Sequence, residues 1–211
     1  MIGIFLGAPL AGILMALASV VAEQFLAVIA GIVSQKEIVL DVYKNLSFFL
    51  VASAIIEEGF KYFSAVFVLR RYLNLRRFKF IAASATAGLF FGGSEVYLIL
   101  LTNGKKIWDI RGFDSNTFFS LSAVVLLHIL TYLLISALIA NRGENTRFQA
   151  LKTILLPTFI HLLFNFLVIQ KGDFTNWLVG IVLGITFLLS FFSILFNFRK
   201  LAGSTTGQKI Q

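Results

Sequence analysis

The chain has 211 residues, of which 58% are hydrophobic and 13% charged, with a net charge of +8 and a mean hydropathy of +0.90. Soluble domains carry about 25% charged residues, so one compact water-soluble core cannot hide this much apolar surface. That excludes a soluble enzyme, a disordered chain and a collagen-like repeat, and leaves a single-domain, multi-pass membrane protein.

Cysteine is absent. Disulfides, thiolate nucleophiles and Cys-ligated metals are thereby excluded. The basic excess fits Lys and Arg in cytoplasmic loops. Its densest cluster, Arg70-Arg71 with Arg76, Arg77 and Lys79, is interleaved with Tyr72, Leu73, Leu75 and Phe78. It reads as an interfacial segment facing anionic headgroups, with no nucleic-acid partner. The chain begins MIGIFLGAPLAG, with no basic residue before an apolar run longer than a signal-peptide h-region.

A spanning helix needs about 20 mainly apolar residues. Six segments qualify in chain order: Ile4–Ser34, Leu46–Leu69, Phe80–Thr102, Thr117–Ala140, Ala150–Gln170 and Asn176–Phe198. The first is overlong and carries Pro9 and the pair Glu23-Gln24, so a break there would give seven or eight helices. The third is crowded with Ala82, Ala83, Ala85, Ala87, Gly88, Gly92 and Gly93, a composition that lets helices approach closely. The apolar runs lack the alternation of barrel strands. The expected fold is therefore an all-α transmembrane bundle over residues 1–198, with a motif-bearing core at 46–170. A polar, disordered tail is expected at 199–211.

Alternate gaps between spans hold Arg70, Arg71, Arg76, Arg77, Lys79, Arg142, Arg147, Lys152, Arg199, Lys200 and Lys209. The other gaps hold Lys36, Lys44, Lys105, Lys106, Arg111 and Lys171. The positive-inside rule then places both termini in the cytoplasm of a cell-membrane protein. Trp108 and Trp177 fall at the outer boundary, where aromatic belts occur.

Six acidic residues sit in loops: Glu37, Asp41, Asp109, Asp114, Glu144 and Asp173. Glu23, Glu57, Glu58, Glu95, Lys61, His128, His161 and Asn165 sit inside spans. A charge at mid-membrane costs about 2.5–3.5 kcal/mol on insertion scales, so such groups face a cavity or one another and are functional by default. At ~1.5 Å rise per residue, Glu57, Glu95, His128 and His161 all fall near the bilayer centre. Four helices thus deliver acidic or imidazole groups to one level. Glu57 and Lys61 are four apart, on one helix face, and can pair. His161 with Asn165 and Phe91 with Glu95 share that spacing. Thr131 and Tyr132 follow His128 at three and four.

A carboxylate here suits a general base for water. Two imidazoles can orient that water or donate protons, and the Asn165 amide can stabilise an oxyanion. The set fits amide hydrolysis by activated water. Other routes to intramembrane proteolysis are missing. There is no Cys, no HExxH helix and no intramembrane Asp pair. Ser94 lacks the context of a serine nucleophile.

The residues form motifs. Glu57-Glu58-Gly59-Phe60-Lys61 reads EExxK, Phe91-Gly92-Gly93-Ser94-Glu95 reads FGxxE, His128 stands alone, and His161-Leu162-Leu163-Phe164-Asn165 reads HxxxN. Their order on four successive spans resembles the PrsW-type intramembrane proteases. That family shares a superfamily with the CAAX prenyl endopeptidases, whose motifs are EExxxR, FxxxH and HxxxN. The resemblance covers Leu46 to Asn165. It implies Glu57 as the water-activating base and Glu58 as an orienting residue, with Lys61 supporting. It implies His161 and Asn165 for water orientation and oxyanion stabilisation. It leaves the roles of Glu95 and His128 open. Glu95 stands where the prenyl enzymes have His, which argues against a prenylated substrate. The implied substrate is a membrane protein or membrane-proximal peptide, such as an anti-sigma factor.

Two other classes remain open. The expectation is that no cofactor is needed, but His128, His161 and Glu57 or Glu95 are also a possible zinc set, two His and one carboxylate with an open position. Alternatively the protein is a non-enzymatic scaffold or transporter of the same superfamily. Glu57 and Glu58 then fix helix packing through Lys61, and Glu95, His128, His161 and Asn165 are satisfied by neighbouring helices. Glu23, with no motif around it, reads as structural or cavity-lining. The 24 Phe residues are packing and lipid-facing surface.

Overall fold

The computed structural model describes residues 2–34, 46–72, 77–102, 115–142, 147–170 and 173–206. These form six α-helices: α1 (Ile2–Ser34), α2 (Leu46–Phe63), α3 (Arg77–Thr102), α4 (Ser115–Arg142), α5 (Arg147–Gln170) and α6 (Asp173–Thr206). A π-helical stretch, Ser64–Tyr72, continues α2. Among the described residues there is no strand.

Five helices are long and apolar enough to cross a membrane, over Leu6–Ile29, Lys79–Thr102, Ser115–Ala140, Gln149–Gln170 and Phe174–Phe196. The exception is α2, the expected second span, whose 18 residues include Glu57, Glu58 and Lys61. All three side chains are buried inside the bundle, while Phe48, Val51, Ile55 and Phe63 of α2 are exposed. An apolar outer face with its charges turned inward is what a helix needs when water cannot solvate them.

One choice left open by the sequence is decided, and two expected boundaries are corrected. The first segment is one continuous helix, and Pro9 does not divide it. Pro9 is the eighth residue of α1, past the first turn, so it removes one internal backbone hydrogen bond without ending the helix. The second span changes to π-helix at Ser64 and so ends in a different register. The last helix runs through Thr206, beyond the tail boundary expected at 199. Trp108, the basic residues Lys36, Lys44, Arg76, Lys105, Lys106, Arg111 and Lys171, the loop acids Glu37, Asp41, Asp109, Asp114 and Glu144, and the stretch 207–211 lie outside the described residues.

The centre of the bundle is α4, which packs on α3, α5 and α6 and also touches α2. Two-thirds of its apolar window (67%) is buried, against 22% for α1 and for α6. Two apolar clusters flank it. One joins α1, the π-helical stretch, α3 and α4 through Leu69, Phe80, Phe91, Tyr132 and Ile135. The other joins α4, α5 and α6 through Leu127, Leu134, Phe164 and Leu183.

The small residues of α3 set how closely it approaches α4 and α1. A Cβ at Gly88 would lie 2.8 Å from the His128 carbonyl oxygen and Ile129 Cα, and one at Gly92 would lie 2.8 Å from Val125 Cα. The neighbouring backbone occupies the space of the missing side chain, which fixes His128 against α3. On the other side, a Cβ at Gly12 of α1 would collide with the Ala87 carbonyl oxygen. Gly93 has nothing within 4 Å of its Cβ position and plays no such part.

Candidate active site

The polar side chains expected inside spans converge. Glu57, Glu58 and Lys61 come from α2, Glu95 from α3, His128 from α4 and His161 from α5. His128, His161, Glu58 and Lys61 are essentially inaccessible, and Glu57 is nearly so.

Glu58 is the fixed point. Lys61 Nζ donates to Glu58 Oε1 at 2.5 Å, and His161 Nδ1 lies 2.8 Å from the same oxygen. A carboxylate only accepts, so His161 carries a proton on Nδ1, and in the neutral imidazole the Nε2 lone pair is then free. Lys61 Nζ also donates to Thr131 Oγ1 at 2.9 Å and lies 5.1 Å from the centre of the Phe91 ring. This corrects the sequence expectation that Lys61 pairs with Glu57. At three residues' separation Glu58 is as reachable as Glu57 at four. Thr131 and His161, contributed by other helices, decide for Glu58.

Glu57 is thereby left free for other contacts. Its Oε1 accepts a hydrogen bond from Ser53 Oγ at 3.0 Å, one turn earlier on α2. Its Oε2 has no hydrogen-bond partner. That oxygen lies 3.7 Å from His161 Nε2 and 3.9 Å from His128 Nε2. The His128 and His161 rings stand edge to face, with centres 5.3 Å apart. His128 Nε2 is in close contact with Glu95 Oε2. Phe91, one turn before Glu95, packs against the His128 ring at 4.9 Å. Its place in FGxxE is therefore to wedge His128 and to cover Lys61.

Next to these groups lies a cavity of about 340 Å³. Glu57 and Glu95 form its polar end with Ser53, Glu23 and Asn165. Its walls are apolar, from Val20, Leu26, Phe49, Leu50, Leu98, Phe164 and Val168 among others. It extends to Gln24, Thr102 and Ile169, near the C-terminal parts of α1, α3 and α5. Gln24 and Thr102 are exposed.

Six of the seven expected site residues thus form one cluster: Glu57, Glu58, Lys61, Glu95, His128 and His161. Asn165 lies on the cavity wall beside it. Glu23, expected to be structural or cavity-lining, lines the cavity. Ser53 and Thr131 were not singled out as site residues. Ser53 was detectable as the hydroxyl one turn before Glu57, but Ser and Thr are common in apolar helices and carry no signal of their own. Ser94, set aside as a nucleophile, donates its hydroxyl to the Phe90 carbonyl within its own helix at 2.8 Å.

One potential ligand atom from each of Glu57, His128 and His161 lies within 4.8 Å of the others. These are zinc-ligand types, and Glu58 holds His161 as an outer-shell carboxylate holds a metal-binding imidazole. The residues therefore fit a divalent metal as well as a water molecule. No family model, no curated protein and no solved structure matches this chain.

Proposed function

We propose that the protein is an intramembrane endopeptidase, in which Glu57 activates a water that attacks a peptide bond of a membrane protein. The observation that carries this is the unpartnered Oε2 of Glu57, 3.7 and 3.9 Å from two imidazole nitrogens. Across the shorter gap, a carboxylate oxygen and a free imidazole lone pair face each other. Two acceptors so placed need a donor between them, and a water supplies it. Held there, the water passes a proton to Glu57 as its oxygen forms the new bond to the carbonyl carbon. Asn165, on the cavity wall, brings an amide N–H to the developing oxyanion, while the Nε2 of His128 is engaged by Glu95. The proton held by Glu57 then goes to the leaving amine. The likeness to PrsW-type motifs supports the same assignment and suggests a membrane-anchored regulator, such as an anti-sigma factor, as substrate. The charge asymmetry between loops supports a cell-membrane protein with cytoplasmic termini.

The donor set favours a second reading, a metal-dependent peptidase. Glu57, His128 and His161 would hold the ion, which would polarise the substrate carbonyl and acidify a bound water. Glu58 would still orient His161.

The test is hydrolysis by the purified full-length protein in proteoliposomes, offered membrane proteins extracted from its own host. New peptide termini are read by mass spectrometry. Wild type should produce a discrete set that Glu57→Gln lacks. Cleavage that persists in Glu57→Gln would refute the assignment. Loss of cleavage on chelation, restored by zinc alone, selects the metal reading.

A further inference from the structure

Glu23 is the one acidic residue of the site that no motif includes. It is carried by α1, which contributes nothing else to the polar cluster. Its side chain is half-buried and lines the cavity with Glu57 and Glu95. The basic groups nearby are already engaged, Lys61 by Glu58 and His128 by Glu95. The polar neighbours of Glu23 are the Ser53 hydroxyl and the Glu95 carboxylate, neither of them cationic. Among the described residues Glu23 forms no ion pair. Four carboxyl groups therefore meet one lysine and two imidazoles. Carboxyl groups buried without a cation of their own are costly to ionise, and a positive group seated among them would relieve that cost.

The cavity is also larger than hydrolysis needs. At ~30 Å³ per water, its 340 Å³ is roughly tenfold the volume of a single attacking molecule. Apolar walls lead to a polar end where the buried Oε2 of Glu57 has no partner. Apolar walls with an acidic end match an aliphatic stem that carries a positive head.

We infer that the cavity is a binding site for a lysine or arginine side chain of an apolar peptide segment, with Glu23 as the carboxylate that selects it. The stem lies along Leu26, Leu98 and Val168, and the head sits between Glu23 and Glu95. This deepens the peptidase reading by naming a substrate class, and it rests on that reading only for the cleavage step.

The absence of cysteine allows a test that needs no substrate. A single cysteine is placed in the wall, as Leu98→Cys and separately as Val168→Cys, in the full-length protein in proteoliposomes. Its rate of modification is measured with a cationic and an anionic methanethiosulfonate of similar size. Charge-lined clefts enrich counter-ions by 10–10³, so the cationic reagent should react at least about tenfold faster. Adding Glu23→Gln should reduce the ratio to about twofold or less. Equal rates for both reagents, a ratio unchanged by Glu23→Gln, or no reaction at either position would overturn the inference. A synthetic apolar peptide with one lysine should protect the cysteine better than its norleucine analogue, and equal protection would also count against it. None of these readings depends on hydrolysis. A protein that selects cations but cleaves nothing would sink the peptidase assignment and leave this site standing.

Discussion

Glu58 and His161 are 103 positions apart in the chain, yet Glu58 Oε1 lies 2.8 Å from His161 Nδ1. This contact fixes the tautomer of His161 and turns its other nitrogen toward Glu57. Glu58→Gln keeps the shape but replaces the acceptor that serves Lys61 and His161 together. Cleavage should fall by about 10–100-fold, the usual cost of losing an orienting partner. Kinetics on any substrate found by terminus mapping would check it, and unchanged turnover would remove Glu58 from the mechanism.

Lys61 is fully buried against Glu58, Thr131 and Phe91. Lys61→Met leaves the Glu58 carboxylate buried without its cation. Stability should drop by about 3–5 kcal/mol, as for other broken buried pairs. The double variant Lys61→Met with Glu58→Gln should recover part of that loss, because the two residues share one interaction. Unfolding titrations in sodium dodecyl sulfate would measure both.

Asn165 is half-buried on the cavity wall, beside the polar cluster and outside its network of contacts. Asn165→Ala should therefore change stability by no more than about 0.5 kcal/mol. If its amide serves the oxyanion, turnover should fall by about 10²–10³-fold. Loss of stability without loss of turnover would make it a packing residue.

Gly92 lets α3 reach the α4 backbone beside His128, whereas Gly93 faces open space. Gly92→Ala should destabilise by about 1–3 kcal/mol through overpacking and shift the His128 ring. Gly93→Ala should be neutral to within about 0.5 kcal/mol. Equal behaviour of the two variants would argue against this helix contact.

The sequence by itself determined the class of protein and the identity of the polar set. Hydropathy is a sum over neighbouring residues, so six apolar segments can be read without knowing how they pack, and the structure then sets α2 apart from the five that are long and apolar enough to span. The cost of charge in lipid is likewise a property of each position, so Glu57, Glu58, Lys61, Glu95, His128 and His161 stood out singly. The tertiary structure decided who meets whom. Spacing on α2 allows Lys61 either glutamate, and only Thr131 on α4 and His161 on α5 choose Glu58. Ser53, an ordinary residue in sequence, became the partner of Glu57, and Glu23 of α1 came to line the same cavity as Glu57 and Glu95. Pair interactions and cavities depend on distances between helices, and a local pattern along one chain does not contain those distances.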